Sequence, residues 1–231
     1  MSTILECNGL SHKYGKKTAL ENVSFRVESG KIVGIFGPNG CGKTTLMKIL
    51  TGMIHDKNGA VNICGNAVSE KTKAVVSYSP DSFAFKNDRK VSDIIEAYET
   101  IYEDFDGETA QKSLEELGIY AKDIVGKLSK GNCEKLQIIL TMSRHARLYI
   151  LDEPFNGVDP VARENIIRIM LEKVPEDSSL LLSTHQISEI ENILDEALFL
   201  KDGRLVFDGS IDELRDKNGR SLTDAYMEEF R

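Results

Sequence analysis

Short apolar runs alternate with turn residues over the first quarter of the chain. Residues 4–7 (ILEC), 23–27 (VSFRV), 32–36 (IVGIF) and 61–64 (VNIC) are separated by Gly15, Ser29-Gly30 and Asn58-Gly59, the punctuation expected of strands. Beyond Val91 the apolar spacing lengthens to that of helices. Val91, Ile94, Ile95, Tyr98, Ile101 and Tyr102 fall on one stripe, and Ala110, Leu114 and Leu117 on a second. A third helix, over residues 134–146, carries Leu136, Ile139 and Leu140. Fully apolar runs return at residues 148–151 (LYIL) and 180–182 (LLL), separated by a stripe of Ile166, Ile167, Met170 and Leu171. Apolar strands that alternate with helices predict a parallel sheet covered on both faces. Near the end, Asp202-Gly203 predicts a tight hairpin and Ser210-Ile211-Asp212-Glu213 a capping box that opens a helix.

Composition bounds the partners. With 231 residues, 41% of them hydrophobic, the chain suffices for one folding unit with two lobes, at roughly 150 residues per domain. The net charge of −8 and the absence of any long Lys/Arg block argue against general nucleic-acid binding. Cys7, Cys41, Cys64 and Cys133 are scattered without C-x-x-C spacing, so they read as reduced thiols of a cytoplasmic protein rather than a zinc site or disulfide framework. No basic-then-apolar leader and no apolar run approaching the ~18–20 residues of a membrane span occurs; a membrane role is expected to run through a partner.

The strongest chemical signal is residues 37–45, GPNGCGKTT, formed by Gly37, Pro38, Asn39, Gly40, Cys41, Gly42, Lys43, Thr44 and Thr45. It satisfies G-x-x-x-x-G-K-[ST] at every fixed position, between an apolar strand and a helix-compatible stretch. Gly37, Gly40 and Gly42 let backbone N–H groups turn toward phosphate oxygens that a Cβ would block. The helix N-terminus and the Lys43 ammonium add positive potential, and the Thr44 hydroxyl suits Mg²⁺. A nucleoside triphosphate is the implied ligand. Asp152-Glu153 closes the 148–151 strand, and carboxyl ends of parallel strands are where ligands sit. Asp152 is expected to face the Mg²⁺ and Glu153 the attacking water. The base-reading sequence N-K-x-D of GTPases is absent.

Lys43-Thr44, Asp152-Glu153, the LSKGN run at 128–132 and Ser183-Thr184-His185 resemble, in order and along essentially the whole chain, the nucleotide-binding subunits of ATP-binding cassette transporters. The resemblance implies an α/β fold: a phosphate-loop NTPase core with a parallel sheet, an N-terminal antiparallel β subdomain and an inserted α-helical subdomain. Its implied boundaries are residues 1–82 and 148–209 for the core with the β subdomain, 83–147 for the helical subdomain, and 210–231 for a C-terminal helical tail.

The resemblance also assigns roles. Tyr14 stands where the family stacks an aromatic ring on adenine, and His185 where it holds the γ-phosphate and orients Glu153. Ser129, Lys130, Gly131 and Asn132 stand where the signature binds the γ-phosphate of an opposite subunit, so that two ATP molecules are sandwiched in a head-to-tail dimer with a second copy or a paralogue. Asp159 occupies the place of a residue that bridges the subunits, and Pro160 starts the next helix. LSKGN departs from the family's LSGGQ at Lys130 and Asn132, and Asp81 replaces the family's metal-binding Gln. The expectation is an ATP-hydrolysing, Mg²⁺-dependent subunit with Glu153, His185 and Lys43 catalytic and Thr44, Asp81 and Asp152 at the metal. It would drive separate transmembrane subunits from the inner face of the cell membrane, with export the favoured direction. A soluble cassette ATPase and a weakly hydrolysing regulatory ATP binder are the alternatives.

Overall fold

A computed structural model of the chain describes residues 2–55, 58–83, 85, 88–219 and 221–231. In chain order its elements begin with β1 (Thr3–Tyr14), β2 (Lys17–Glu28), β3 (Ile32–Phe36), α1 (Lys43–Leu50), β4 (Ala60–Ile63), β5 (Asn66–Ala67), α2 (Glu70–Val75) and β6 (Val76–Ser79). Three helices follow, α3 (Val91–Ile101), α4 (Gly107–Glu116) and α5 (Lys130–Met142), and then β7 (Leu148–Asp152), α6 (Pro160–Lys173) and β8 (Ser179–Ser183). The chain ends with α7 (Ile187–Ile190), β9 (Glu196–Lys201), β10 (Arg204–Ser210), α8 (Ile211–Asn218) and α9 (Leu222–Glu229). Among the described residues no helix is long and apolar enough to cross a membrane.

Two sheets organise these elements. One has the order β2-β1-β4-β5 and is antiparallel throughout. The other runs β10-β9-β3-β8-β7-β6, parallel from β9 to β6, with β10 antiparallel at the edge. The β9–β10 turn carries Asp202 and Gly203 at φ +50° and +79°, the left-handed pair that a two-residue hairpin requires. Every residue of β7 and β8 is buried, which explains why their sequences do not alternate.

Helix α1 lies between the sheets: Leu46, Met47, Ile49 and Leu50 pack in one core with Val33 and Ile35 of β3 and with Leu5 and Val27 of the antiparallel sheet. The opposite face of the parallel sheet packs on α6 and α9 through Phe36, Phe199, Ile166, Met170 and Leu222. A third core joins α3, α4 and α5 through Val91, Leu114, Leu136 and Ile139.

Three periodic readings shift in the structure. The third helix of that lobe starts at Lys130 rather than 134 and ends at Met142, because Ser129 caps it by accepting from Asn132 N at 3.2 Å and so draws Gly131 into the first turn. Ile101, expected on the apolar stripe of α3, is 67% exposed, since it ends the helix where neither α4 nor α5 covers it. In α6 it is Ile169, one turn after Ile166, that is buried, whereas Leu171 is 46% exposed, about 100° round the helix from Met170.

Arg144, just past α5, ties the helical lobe to the sheet. Its guanidinium pairs with Asp104 at 2.9 and 3.0 Å, donates to Val76 O and Ala74 O at 2.7 and 2.8 Å, and lies 4.1 Å from the Tyr102 ring centre. Removing one member of a buried pair leaves its partners unmatched. Arg144→Leu is therefore expected to lower stability by about 3 kcal/mol in urea unfolding; a loss below about 1 kcal/mol, the range of exposed pairs, would show that this pairing holds little.

Candidate nucleotide-binding site

The loop after β3 is shaped by its glycines and by the elements beneath it. Gly40 and Gly42 have φ of +82° and +117°. A Cβ on Gly42 would stand 2.5 Å from Ala19 O, whereas one on Gly40 would meet nothing within 4 Å, so Gly42 answers to packing and Gly40 faces open space. Gly203 N donates to Cys41 O at 3.0 Å, which ties the loop to the β9–β10 turn. Cys41 is buried, and that burial pushes its thiol up, so it acts as a small apolar filler. Gly42 is the N-cap of α1, and the first helical hydrogen bond runs from Leu46 N to Gly42 O. The N–H groups of Lys43, Thr44 and Thr45 consequently have no partner within the helix and point out of its positive end.

Lys43 is only 6% exposed. Its ammonium donates to Gly37 O at 2.7 Å and lies 3.7 Å from Glu153 Oε1. The other carboxylate oxygen, Oε2, lies 2.9 Å from His185 Nδ1. Glu153 is thus held between Lys43, from the loop, and His185, from the end of β8. It also takes φ +50°, a costly conformation for a residue with a long side chain, and its N–H donates to Ser183 Oγ and Ser183 O at 3.0 and 3.1 Å.

Asp152 precedes it and is 1% exposed. Its Oδ1 accepts from Ser183 Oγ at 2.6 Å, and its Oδ2 is buried with no hydrogen-bond partner among the described residues. Burial holds this carboxyl above the usual carboxylate range, with the charges of Asp81 and Glu153 acting in the same sense and the Ser183 hydrogen bond opposing them. A buried unmatched carboxylate oxygen beside a hydroxyl is the donor chemistry of a hard divalent cation. Among the described residues no group of three or more His, Cys, Asp or Glu side chains could hold a metal by itself; the donors present fit Mg²⁺ that arrives with phosphate oxygens.

The structure brings together loop residues 37–45, Asp152, Glu153 and His185, and β6, paired with β7 through Ser79 and Leu151, leads into Asp81 on an exposed turn at the same edge. Tyr14 ends β1 half exposed, edge-on to His12 at 4.7 Å; no hydrogen bond or ring contact among the described residues joins it to the loop. Residues 129–132 open α5. Lys130 lies 3.7 Å from Glu134 and reaches over Gly157, and no hydrogen bond or ion pair among the described residues links this turn to residues 37–45. Asp159 caps α6 by accepting from Ala162 N at 3.0 Å, which holds its carboxyl below the usual range, and Pro160 is the first residue of α6. Ser183, which bridges Asp152 and Glu153, had no role in the sequence reading. Its one signal was its place directly before Thr184 and His185 at a strand end.

A glycine-lined loop feeding a helix N-terminus, with acidic residues at the carboxyl edge of a parallel sheet, defines a phosphate-loop nucleotide-binding protein. The family model described as ABC transporter matches residues 20–156, and the chain belongs to that family, as an ATP-binding subunit of the transporter type. It is similar to an uncharacterised ABC transporter ATP-binding protein of Methanocaldococcus jannaschii, 32% identical over 93% of this chain and 80% of that one. It is likewise similar to the lantibiotic transport ATP-binding protein SrtF of Streptococcus pyogenes, 29% identical over 90% and 92%. A solved ATP-binding subunit of an ABC transporter superposes with a TM-score of 0.90 at 28% identity, covering 99% of this chain and all of that one.

Gly42→Ala is expected to destabilise the chain by about 2 kcal/mol through the positive φ and the clash with Ala19 O, and to abolish triphosphate binding. Thermal unfolding with and without ATP checks both, and a variant with unchanged midpoint and binding would contradict the packing described.

Proposed function

We propose that the chain is the ATP-hydrolysing subunit of a membrane exporter and works as a head-to-tail pair of cassettes. The observation that carries this reading is Glu153, held between Lys43 and His185 at the edge where the phosphate loop opens. In this reading the loop N–H groups and Lys43 bind the β- and γ-phosphates. Glu153 accepts a hydrogen bond from the attacking water and polarises it toward the γ-phosphorus, and His185 fixes the direction of that carboxylate. The bond from the γ-phosphorus to the bridging oxygen breaks as water adds, leaving ADP and phosphate. Thr44, Asp152 and Asp81 would hold Mg²⁺, which supplies charge neutralisation on the phosphates. Tyr14, at the open end of β1, would lend its ring face to the base.

The separation of residues 129–132 from the loop within one chain supports a composite site. Ser129 and the N-terminal N–H groups of α5 would then serve the γ-phosphate of a second copy, alongside Lys130, Gly131 and Asn132, with Asp159 near the subunit boundary. A cleft of about 580 Å³ between sheet and helical lobe, lined by Met53, Tyr98, Ile101, Tyr102, Lys73 and Arg144, supports docking of a transmembrane subunit at the inner membrane face. Its exposed Met53 and Ile101 offer apolar area that water does not favour. The family's relatives include a protein named for lantibiotic transport, in keeping with a transport role.

Glu153→Gln tests the reading. Hydrolysis is expected to fall by about 100-fold or more while ATP binding persists, and ATP is expected to shift the variant from monomer to dimer in size-exclusion chromatography. An unchanged turnover rate would remove Glu153 from the chemistry, and a variant that stays monomeric with bound ATP would remove the composite site.

A further inference from the structure

Helix α5 buries two polar side chains, Gln137 and Thr141, in an otherwise apolar stretch. Leu136, Ile138, Ile139 and Leu140 are buried, and Gln137 among them is only 7% exposed. A buried carboxamide is costly unless its hydrogen bonds are made. Gln137 Nε2 donates to Pro80 O at 2.6 Å and to Ser79 Oγ at 3.0 Å. One turn on, Thr141 O accepts from Ser77 Oγ at 2.8 Å, and the Thr141 hydroxyl donates back to Gln137 O at 2.8 Å. The end of β6 is therefore tied to α5 at two successive turns.

The atom that Gln137 holds matters. Pro80 O belongs to the planar peptide group that ends at Asp81 Cα, and the proline ring fixes the preceding backbone angle. Anchoring that oxygen sets the plane from which the Asp81 side chain departs. Gln137 also stands two turns from residues 129–132, on the helix that Ser129 caps.

We propose that Gln137 is a positioning residue: through Pro80 O and Ser79 Oγ it holds Asp81 toward the Thr44–Asp152 edge and makes the signature helix move with the metal-facing turn. This rests on the reading of Asp81 as a metal-facing carboxylate. Ser79 pairs with Leu151 in the sheet, so the chain leaves β6 toward Asp81 at the edge where β7 ends in Asp152. An apolar residue at position 137 would fill the core equally well but could not grip the Pro80 carbonyl. With Gln137 in place, metal bound at one nucleotide restrains the signature turn that serves the other.

The test is the ratio of ATP affinities with Mg²⁺ and with EDTA, measured by calorimetry on the purified full chain. Gln137→Leu, which keeps the volume, and Gln137→Ala are each expected to reduce this ratio about tenfold, the size of effect seen when groups supporting a metal ligand are removed. Asp81→Asn should reduce it similarly, and Asp81→Asn with Gln137→Leu should give no further loss, because both act through one group. A purely structural Gln137 would lower the unfolding midpoint and leave the ratio unchanged. That result in folded Gln137→Leu, or additive losses in the double variant, overturns the inference while leaving the site reading intact. A ratio unaffected by Asp81→Asn overturns the metal-facing reading of Asp81 and the inference with it.

Discussion

A carboxylate buried at the end of an apolar strand needs a counter-charge, and Asp152 is placed under that need by the sheet itself. β7 and β8 are apolar and buried along their length, so the polar residues that end them converge on one edge. Ser183 satisfies one oxygen of Asp152 and leaves the other without a partner among the described residues. The phosphate loop delivers a lysine and a helix N-terminus to the same edge, so positive and negative groups meet there. Lys43 and His185 hold Glu153, while Ser183 holds both carboxylate residues from below.

The scaffold keeps these groups in place through packing on both faces. α1 is locked between the two sheets by Leu46, Met47 and Leu50, which fixes the direction of its N-terminus. Gly42 can adopt the conformation that starts the helix only because it has no Cβ to meet Ala19 O. On the other side, Arg144 and Gln137 join the helical lobe to β6 and the helix before it, one through the carbonyls of Val76 and Ala74, the other through Pro80 and Ser79. The lobe that bears residues 129–132 is thus bonded to the strand that leads into Asp81.

The phosphate loop and Asp152-Glu153 were legible in the sequence because their chemistry is local: fixed spacing in one case, a strand and its terminal acids in the other. The apolar runs predicted the strands for the same reason, since a strand covered on both faces is apolar along its middle, as residues 148–151 and 180–182 are. Helix ends were less legible, as the start of α5 depends on the Ser129 cap, and Ile101 and Leu171 depend on which neighbours reach them. Ser183 and Gln137 act across strands and between lobes, over separations of 31 and 57 residues. Such pairings leave no periodic trace, and a glutamine in an apolar stretch reads as an interruption until the Pro80 carbonyl appears opposite it.

The direct measurement is Mn²⁺ binding, followed by electron paramagnetic resonance of the free ion, with and without a non-hydrolysable ATP analogue. A pocket that supplies only part of a metal shell should bind Mn²⁺ tightly only when nucleotide is present, and Asp152→Asn should weaken that binding about tenfold or more. Equal Mn²⁺ affinity without nucleotide, or unchanged affinity in Asp152→Asn, would contradict the role given to the unmatched oxygen of Asp152.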